Sequence, residues 1–373
     1  MSGKYPVMQT MQSGQSSGRH AAVLERPRAS DDDDLLTQAE EHSARRREHT
    51  YAALISWGAL LVVSLGLLCW TLFQMSAAGA PGTPRAGLSF RTQSGLYGIT
   101  VGQAPAVTAK AAFVFDADTG LVYYSKDAND ELPQASCTKV MTLLLAVERG
   151  NLDQMVTVGA DAHALVNPDS SYMGLDVGEK LTLRDLLYGL VMPSGNDAAV
   201  AIADAIGGSV PSFVAMMNQR AQQLGLTRTH FVTPHGLDAP GHYTTARDLA
   251  VLSAYALHNP TIVKVVSTLD YVIPQTATHK AYHLHTGNDL LAGARAPYPG
   301  AIGVKPGFTG NAGFCMAFAA IRYGHLIVAA VLDDPSWQVR IVDMHTLLDW
   351  GFEQEGIPPA PPAAPWSYPS PNE

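Results

Sequence analysis

The chain has few cysteines, few charges and no excess of positive charge. Three of its 373 residues are cysteines, and because Cys69 lies in a long apolar run, only Cys137 and Cys315 could pair. This number and spacing exclude a disulfide framework and a cysteine zinc site, and favour two buried free thiols. Charged residues make up 15% of the chain, and the net charge is −9. No basic patch with interleaved aromatics is present, which argues against a nucleic-acid partner.

The histidines also lack a metal-binding pattern. His235, His242, His283 and His285 do not form an H-E-x-x-H motif or a comparable spacing. We therefore expect turn or surface histidines and no metal site. We expect no organic cofactor either.

The N-terminal third does not have the pattern of a folded domain. Residues 1–50 are polar and predict a disordered tail, whereas residues 51–75 contain no charge and are long enough to span a membrane once. Arginines 45–47 directly precede this run, so the N-terminus is predicted to be cytoplasmic and the catalytic domain extracytoplasmic, anchored in the cell membrane. A signal peptide cleaved after residues 78–80 is the alternative, which the length of the run disfavours.

The remainder predicts one α+β domain at residues 106–352, between a linker at 76–105 and a proline-rich tail at 353–373. Alternating and helical apolar patterns predict an antiparallel sheet beside a helical block. The predicted strands are 111–116 and 121–125, which form a hairpin, and 271–274, 301–304, 314–321 and 326–332, which belong to one sheet. The predicted helices begin near Ser136 and at 181, 197, 210, 245 and 342.

A serine and a lysine stand three residues apart at the start of an apolar helix. Ser136 and Lys139 then share one helical face, so the amine can act as base for the hydroxyl at the positive end of the helix. Taken alone, this spacing more often means a serine cap and a solvated lysine.

Two later stretches change that interpretation. Ser194-Gly195-Asn196 lies in a loop between two predicted helices, and Lys305-Pro306-Gly307 lies in a predicted strand. The order S-x-x-K, S-x-N, K-x-G resembles that of the penicillin-recognising serine acyltransferases. With the similar context at residues 186–190, 234–237, 242–249 and 347–352, the chain resembles the D-alanyl-D-alanine carboxypeptidases of peptidase family S11, low-molecular-mass penicillin-binding proteins.

The resemblance implies a β-lactamase/transpeptidase-like fold and a role for each motif residue. Ser136 would be the nucleophile, Lys139 its base, Ser194 a proton relay to the leaving amine, and Asn196 a holder of the substrate amide and the lysine. The backbone N–H groups of Ser136 and Phe308 would form the oxyanion hole. The implied partners are the peptidoglycan stem peptide, which loses its terminal D-Ala, and β-lactam antibiotics, which acylate the serine.

Recognition of the substrate carboxylate is where the chain departs from the family pattern. Lys305 and Arg340 are the expected cationic contacts, with Thr309 as an additional one. Pro306 replaces the usual Thr or Ser and brings neither hydroxyl nor N–H, which an edge strand tolerates. Two alternatives therefore remain: a β-lactamase-like hydrolase, for which no E-x-x-x-N follows the second motif, and a non-catalytic cell-wall-binding homologue.

Overall fold

The computed structural model describes residues 91–92 and 102–361, and all of these residues belong to the same unit. The predicted tail at 1–50, the predicted membrane helix at 51–75 and most of the predicted linker lie outside the described residues, as does the tail beyond residue 361. Among the described helices, none is long and apolar enough to cross a membrane by itself. Two bent helix pairs, 196–223 and 246–266, meet the length and composition criteria when each is taken together.

A six-stranded sheet lies at the centre of the unit, in the order β1-β3-β2-β10-β9-β8. All neighbours pair antiparallel except β1 and β3. Two-stranded ribbons, β4 with β5 and β6 with β7, lie apart from this sheet. The strands are β1 (Arg91–Thr92), β2 (Ala111–Asp116), β3 (Leu121–Lys126), β4 (Met155–Thr157), β5 (Lys180–Thr182), β6 (Asp270–Ile273), β7 (Tyr282–His285), β8 (Ala301–Thr309), β9 (Gly313–Arg322) and β10 (His325–Asp334).

Several of the helices begin after a residue whose polar side chain caps them. Thr182, Thr245 and Ser336 each accept a hydrogen bond from a backbone N–H in the first turn of the next helix, which satisfies a donor that the helix leaves free. A 3₁₀ turn, Ala135–Thr138, precedes the first helix. The helices are α1 (Lys139–Arg149), α2 (Ala160–His163), α3 (Leu183–Val191), α4 (Asn196–Gly207), α5 (Val210–Gln223), α6 (Ala246–Ala256), α7 (Pro260–Val266) and α8 (Trp337–Gln354).

The predicted α+β class, the hairpin and the longer helices are confirmed, with two corrections. The segment predicted as a strand at 271–274 does not join the main sheet, because β6 pairs with β7 in a separate ribbon. Alternation identifies a strand but not its partner, and β7 was not predicted. The last helix begins at Trp337 rather than at residue 342, because Ser336 caps it.

The main sheet is buried on both faces. Phe113 and Phe115 point into a core shared with helices α1 and α3–α7, whereas Ala112 and Val114 contact the core beneath α8. This two-sided burial explains why β2 is apolar throughout. Strand β8 is the edge strand, and the 3₁₀ turn packs against it, which brings the first and third motifs together.

Candidate active site

The Ser136 hydroxyl and the Lys139 amine are in direct contact. Lys139 Nζ lies 2.9 Å from Ser136 Oγ, 2.7 Å from Asn196 Oδ1 and 2.7 Å from the backbone oxygen of His235. Lys139 is only 1% exposed, so its amine has no access to bulk water. The predicted pairing of these two side chains on one helical turn is present in the structure, and Lys139 is not a solvated surface lysine.

The environment of Lys139 favours the neutral amine. Burial, followed by the positive charge of Lys305, holds the pKa of Lys139 well below its ordinary value. Burial also lowers the pKa of Lys305 to about 8, and the Arg340 guanidinium acts in the same direction. A neutral amine can accept a proton, which is what activation of a serine requires.

The second motif reaches the same site from the loop before α4. Ser194 has a positive φ of 61°, an unusual conformation for a residue with a side chain, and its buried Oγ has no hydrogen-bond partner among the described residues. Asn196, the first residue of α4, is fixed on both sides of its amide. Its Oδ1 accepts from Lys139, and its Nδ2 donates to Ser170 Oγ at 2.6 Å.

The third motif lies on edge strand β8. Lys305 is 3% exposed and donates to the backbone oxygen of Pro306 at 2.9 Å. The prediction that Pro306 occupies an edge strand is confirmed, and β8 continues through it without interruption. Gly307 allows the strand to approach the nucleophile, because a Cβ at that position would lie 2.8 Å from the Ser136 nitrogen.

A cleft of about 390 Å³ opens beside Ser136. Ser194, Phe308 and Arg340 also line it. Phe308 is 56% exposed and its ring packs on Phe314 at 4.3 Å between centroids.

Arg340 lies in the first turns of α8 and is 4% exposed. Its Nη1 is 3.3 Å from the backbone oxygens of Gly307 and Cys315, and its guanidinium lies over Phe314. Arg340 Nε is buried without a hydrogen-bond partner among the described residues. Because Arg340 lines the cleft, the predicted carboxylate contact is compatible with the geometry.

Thr309 does not line the cleft. Its hydroxyl donates to Asp238 Oδ1 at 2.8 Å and accepts from the backbone N–H of Ala312. Its geometry is that of a residue that closes the β8–β9 turn rather than of a ligand contact.

His242 differs from its expected place in a turn or at the surface. It is 6% exposed, and its Nε2 lies 2.7 Å from Thr138 Oγ1 while its Nδ1 accepts from the Val232 N–H. Burial lowers the pKa of His242 to about 4 and that of His235 to about 3, so both rings are neutral at pH 7. Both cysteines are buried free thiols, as predicted.

The geometry of three converging motifs agrees with comparisons to known proteins. The family model described as D-alanyl-D-alanine carboxypeptidase matches residues 99–336. The chain belongs to this family. It is 36% identical to the D-alanyl-D-alanine carboxypeptidase DacF of Bacillus subtilis over 66% of the chain and 62% of that protein. It is 35% identical to DacC of Escherichia coli over 70% of the chain and 66% of that protein, so it matches less than two thirds of either relative.

A solved structure supports the same family membership. The DD-transpeptidase of Streptomyces K15 is 35% identical, with a TM-score of 0.63, and the match covers 67% of this chain and 99% of that one. The predicted α+β class is therefore confirmed, and the described domain has a fold similar to that of this DD-peptidase. Within the D-alanyl-D-alanine carboxypeptidase family, the S-x-x-K, S-x-N and K-x-G residues are therefore the candidate catalytic set.

Proposed function

We propose that the protein is a serine-type D-Ala-D-Ala carboxypeptidase that removes the terminal D-Ala from peptidoglycan stem pentapeptides through an acyl-enzyme on Ser136. The observation that carries this proposal is the contact of Ser136 Oγ with a buried lysine amine whose pKa is lowered. A neutral amine has two N–H groups and one lone pair. Because Asn196 and His235 each offer a carbonyl oxygen, both N–H groups are engaged and the lone pair is left for the Ser136 O–H.

We propose the following reaction for these groups. Ser136 Oγ attacks the carbonyl carbon of the penultimate D-Ala while its proton passes to Lys139 Nζ. The resulting oxyanion is held by the backbone N–H groups of Ser136 and Phe308, each contributing about 3 kcal/mol as in other oxyanion holes. The C–N bond breaks as the proton is relayed to the leaving nitrogen through the Ser194 hydroxyl, and free D-Ala departs. Water then attacks the carbonyl carbon of the acyl ester and gives a proton to Lys139 Nζ. That proton passes to Ser136 Oγ as the C–Oγ bond breaks, which releases the shortened peptide and regenerates the enzyme.

The substrate's free carboxylate needs positive charge in or beside the cleft. Lys305 and Arg340 are the cationic groups that we assign to it. Arg340 lines the cleft, whereas Lys305 lies directly before the lining residue Pro306 in the chain and acts through its charge. Thr309 keeps a minor place in this proposal, because its hydroxyl already bonds Asp238. β-Lactams, which carry a carboxylate beside a reactive amide, are expected to acylate Ser136 in the same geometry.

We further propose that residues 51–75 anchor the protein as a single membrane helix, with the N-terminus cytoplasmic and the catalytic domain outside. The support is the uncharged run and the arginines that precede it. The substrate, a cell-wall peptide, fits that location. Recovery of the full-length protein in the membrane fraction, with protease access to the catalytic domain only from the outside, is the expected result.

A fluorescent penicillin tests the catalytic proposal directly. The wild type should be labelled covalently, and Ser136→Ala should not. In parallel, D-Ala release from a diacyl-L-Lys-D-Ala-D-Ala peptide should fall by at least a thousandfold in Ser136→Ala. Labelling without D-Ala release would favour a β-lactam-binding protein that has lost turnover, and absence of both would favour the non-catalytic wall-binding alternative. Rapid repeated hydrolysis of the penicillin would favour the β-lactamase alternative.

A further inference from the structure

A group of three potential metal ligands lies where the end of β2, the start of β10 and the end of α8 meet. Asp116 is the last residue of β2, His325 is the first residue of β10, and Glu355 directly follows α8. One side-chain atom from each residue lies within 4.8 Å of those from the other two. None of the three lines the cleft beside Ser136.

The two carboxylates are held in a way that leaves one oxygen of each free. Asp116 Oδ1 accepts from the backbone N–H groups of Asp118 and Thr119, whereas Oδ2 is buried without a hydrogen-bond partner among the described residues. Asp116 is 0% exposed, so water does not solvate this oxygen. Glu355 follows the same pattern, since its Oε1 accepts from the Tyr123 hydroxyl while Oε2 faces His325.

This arrangement resembles a metal site with its supporting hydrogen bonds already made. In metalloproteins, the oxygens that do not touch the metal are typically hydrogen-bonded to neighbouring groups, which orients the ligand. A fully buried, unpartnered carboxylate oxygen is costly unless a cation lies against it. The imidazole alone does not satisfy Asp116 Oδ2, because His325 Nδ1 is 3.7 Å away, beyond hydrogen-bond distance.

The two separations from His325 Nδ1 are close to those of a tetrahedral zinc ion, and the two carboxylate oxygens lie within 4.8 Å of each other. Ligand atoms that lie about 2.0–2.2 Å from Zn²⁺ are about 3.4 Å from one another. His325 Nδ1 is 3.7 Å from Asp116 Oδ2 and 3.5 Å from Glu355 Oε2. One imidazole nitrogen with two carboxylate oxygens suits Zn²⁺ better than Mg²⁺ or Ca²⁺, which prefer oxygen alone.

We propose that Asp116, His325 and Glu355 bind one Zn²⁺ ion through Oδ2, Nδ1 and Oε2, with water in the fourth position. The ion ties the C-terminal end of α8 to the two central strands β2 and β10. Its role is structural, because none of its ligands lines the cleft that contains Ser136.

The full-length protein, freed of metal by chelation and dialysis, provides the test. Equilibrium dialysis with ZnCl₂ should give one zinc per chain in the wild type, and His325→Gln should bind it with an affinity at least tenfold weaker. At a zinc concentration a hundredfold above Kd, Tm should rise by about 5 °C in the wild type and not in His325→Gln. His283→Gln, which removes an exposed histidine from β7, is the matched control and should bind zinc as the wild type does.

The contrary outcomes are equally distinct. Equal zinc binding by wild type and His325→Gln would overturn the proposal, as would a wild-type Tm that does not respond to zinc. The second result would mean that His325 contacts the two carboxylates directly, without a metal ion between them. If His325→Gln unfolds, Glu355→Gln replaces it, because Glu355 lies beyond the helix end and is partly exposed.

Discussion

Lys139 contacts three oxygens, and only one of them belongs to the nucleophile. The other two, from Asn196 and His235, decide which way the amine's lone pair points. Asn196 fulfils that role only while its carbonyl oxygen, rather than its NH₂ group, faces the lysine. The Ser170 hydroxyl enforces this orientation by accepting from Asn196 Nδ2. Ser170 is therefore a positioning residue that acts on the base through Asn196.

Replacement of Ser170 tests this role. Ser170→Ala removes the acceptor for Nδ2, and a hydrogen bond of this kind contributes about 0.5–1.5 kcal/mol. The rate of acylation by penicillin should therefore fall by about threefold to tenfold, while Tm changes by less than about 2 °C. Ser170→Thr, which keeps the hydroxyl, should restore the rate. Equal rates in wild type and Ser170→Ala would mean that Asn196 holds its orientation without this contact.

At the scale of elements, the site depends on two segments that approach the 3₁₀ turn very closely. One is edge strand β8 at Gly307, and the other is the loop that carries His235 and Gly236. Gly236 has φ of 92°, and a Cβ there would collide with the Ala135 backbone oxygen. This close approach places the His235 carbonyl oxygen on Lys139.

Gly236→Ala should therefore displace the loop and abolish acylation by penicillin. Gly225→Ala is the matched control, because Gly225 also has a positive φ, of 71°, but a Cβ there would meet no other atom within 4 Å. Both variants carry a backbone strain of about 1 kcal/mol, but only the first carries a steric clash. Penicillin labelling and Tm, measured on both variants, distinguish the steric clash from the backbone strain. Full labelling of Gly236→Ala would show that acylation does not need the loop in this position.

The effect of Pro306 also depends on the strand that contains it. On an edge strand the missing N–H interrupts no ladder, so Pro306→Thr should fold normally. Loss of the proline's restraint on the unfolded chain costs about 0.4–1 kcal/mol. The new hydroxyl lies on the cleft side, as Pro306 does, and should lower KM for the D-Ala-D-Ala peptide. Pro306→Ala controls for loss of the ring, and an equal KM in both variants would mean that Lys305 and Arg340 suffice.

The sequence predicted those parts of the site that depend on spacing and side-chain chemistry. Ser136 and Lys139 are one helical turn apart wherever that helix lies, and a proline within a strand already indicates an edge. The contributions of Ser170 and of the His235 carbonyl were not predictable in this way. Ser170 is 26 positions from its partner Asn196, and a backbone carbonyl leaves no trace in residue type. The pairing of β6 with β7 was not predicted for a related reason, because tertiary contacts decide which strands pair.

At the scale of the whole molecule, the link between sheet and closing helix contains a pair of buried acids. Asp334 is the last residue of β10, and Asp343 lies on α8 next to residues 108–109. Asp343 Oδ2 accepts hydrogen bonds from the backbone N–H groups of Thr108 and Ala109. Asp334 is 0% exposed and has no such backbone donor among the described residues, so burial and the negative charge of Asp343 raise the pKa of Asp334 to about 8.

This raised pKa makes stability depend on pH in a defined direction. Between the ordinary aspartate pKa of about 3.9 and the folded value near 8, the folded protein holds a proton that the unfolded chain has released. The contribution of Asp334 to the free energy of unfolding is therefore full below about pH 4 and declines as pH rises towards 8.

Asp334→Asn, which is neutral at every pH, removes that decline. Relative to Asp334→Asn, the wild type should lose free energy of unfolding steadily from about pH 5 to pH 8. The total loss should be about 1 kcal/mol or more. Calorimetry at several pH values across this range measures the difference. A difference that stays constant would mean that Asp334 is charged in the folded protein.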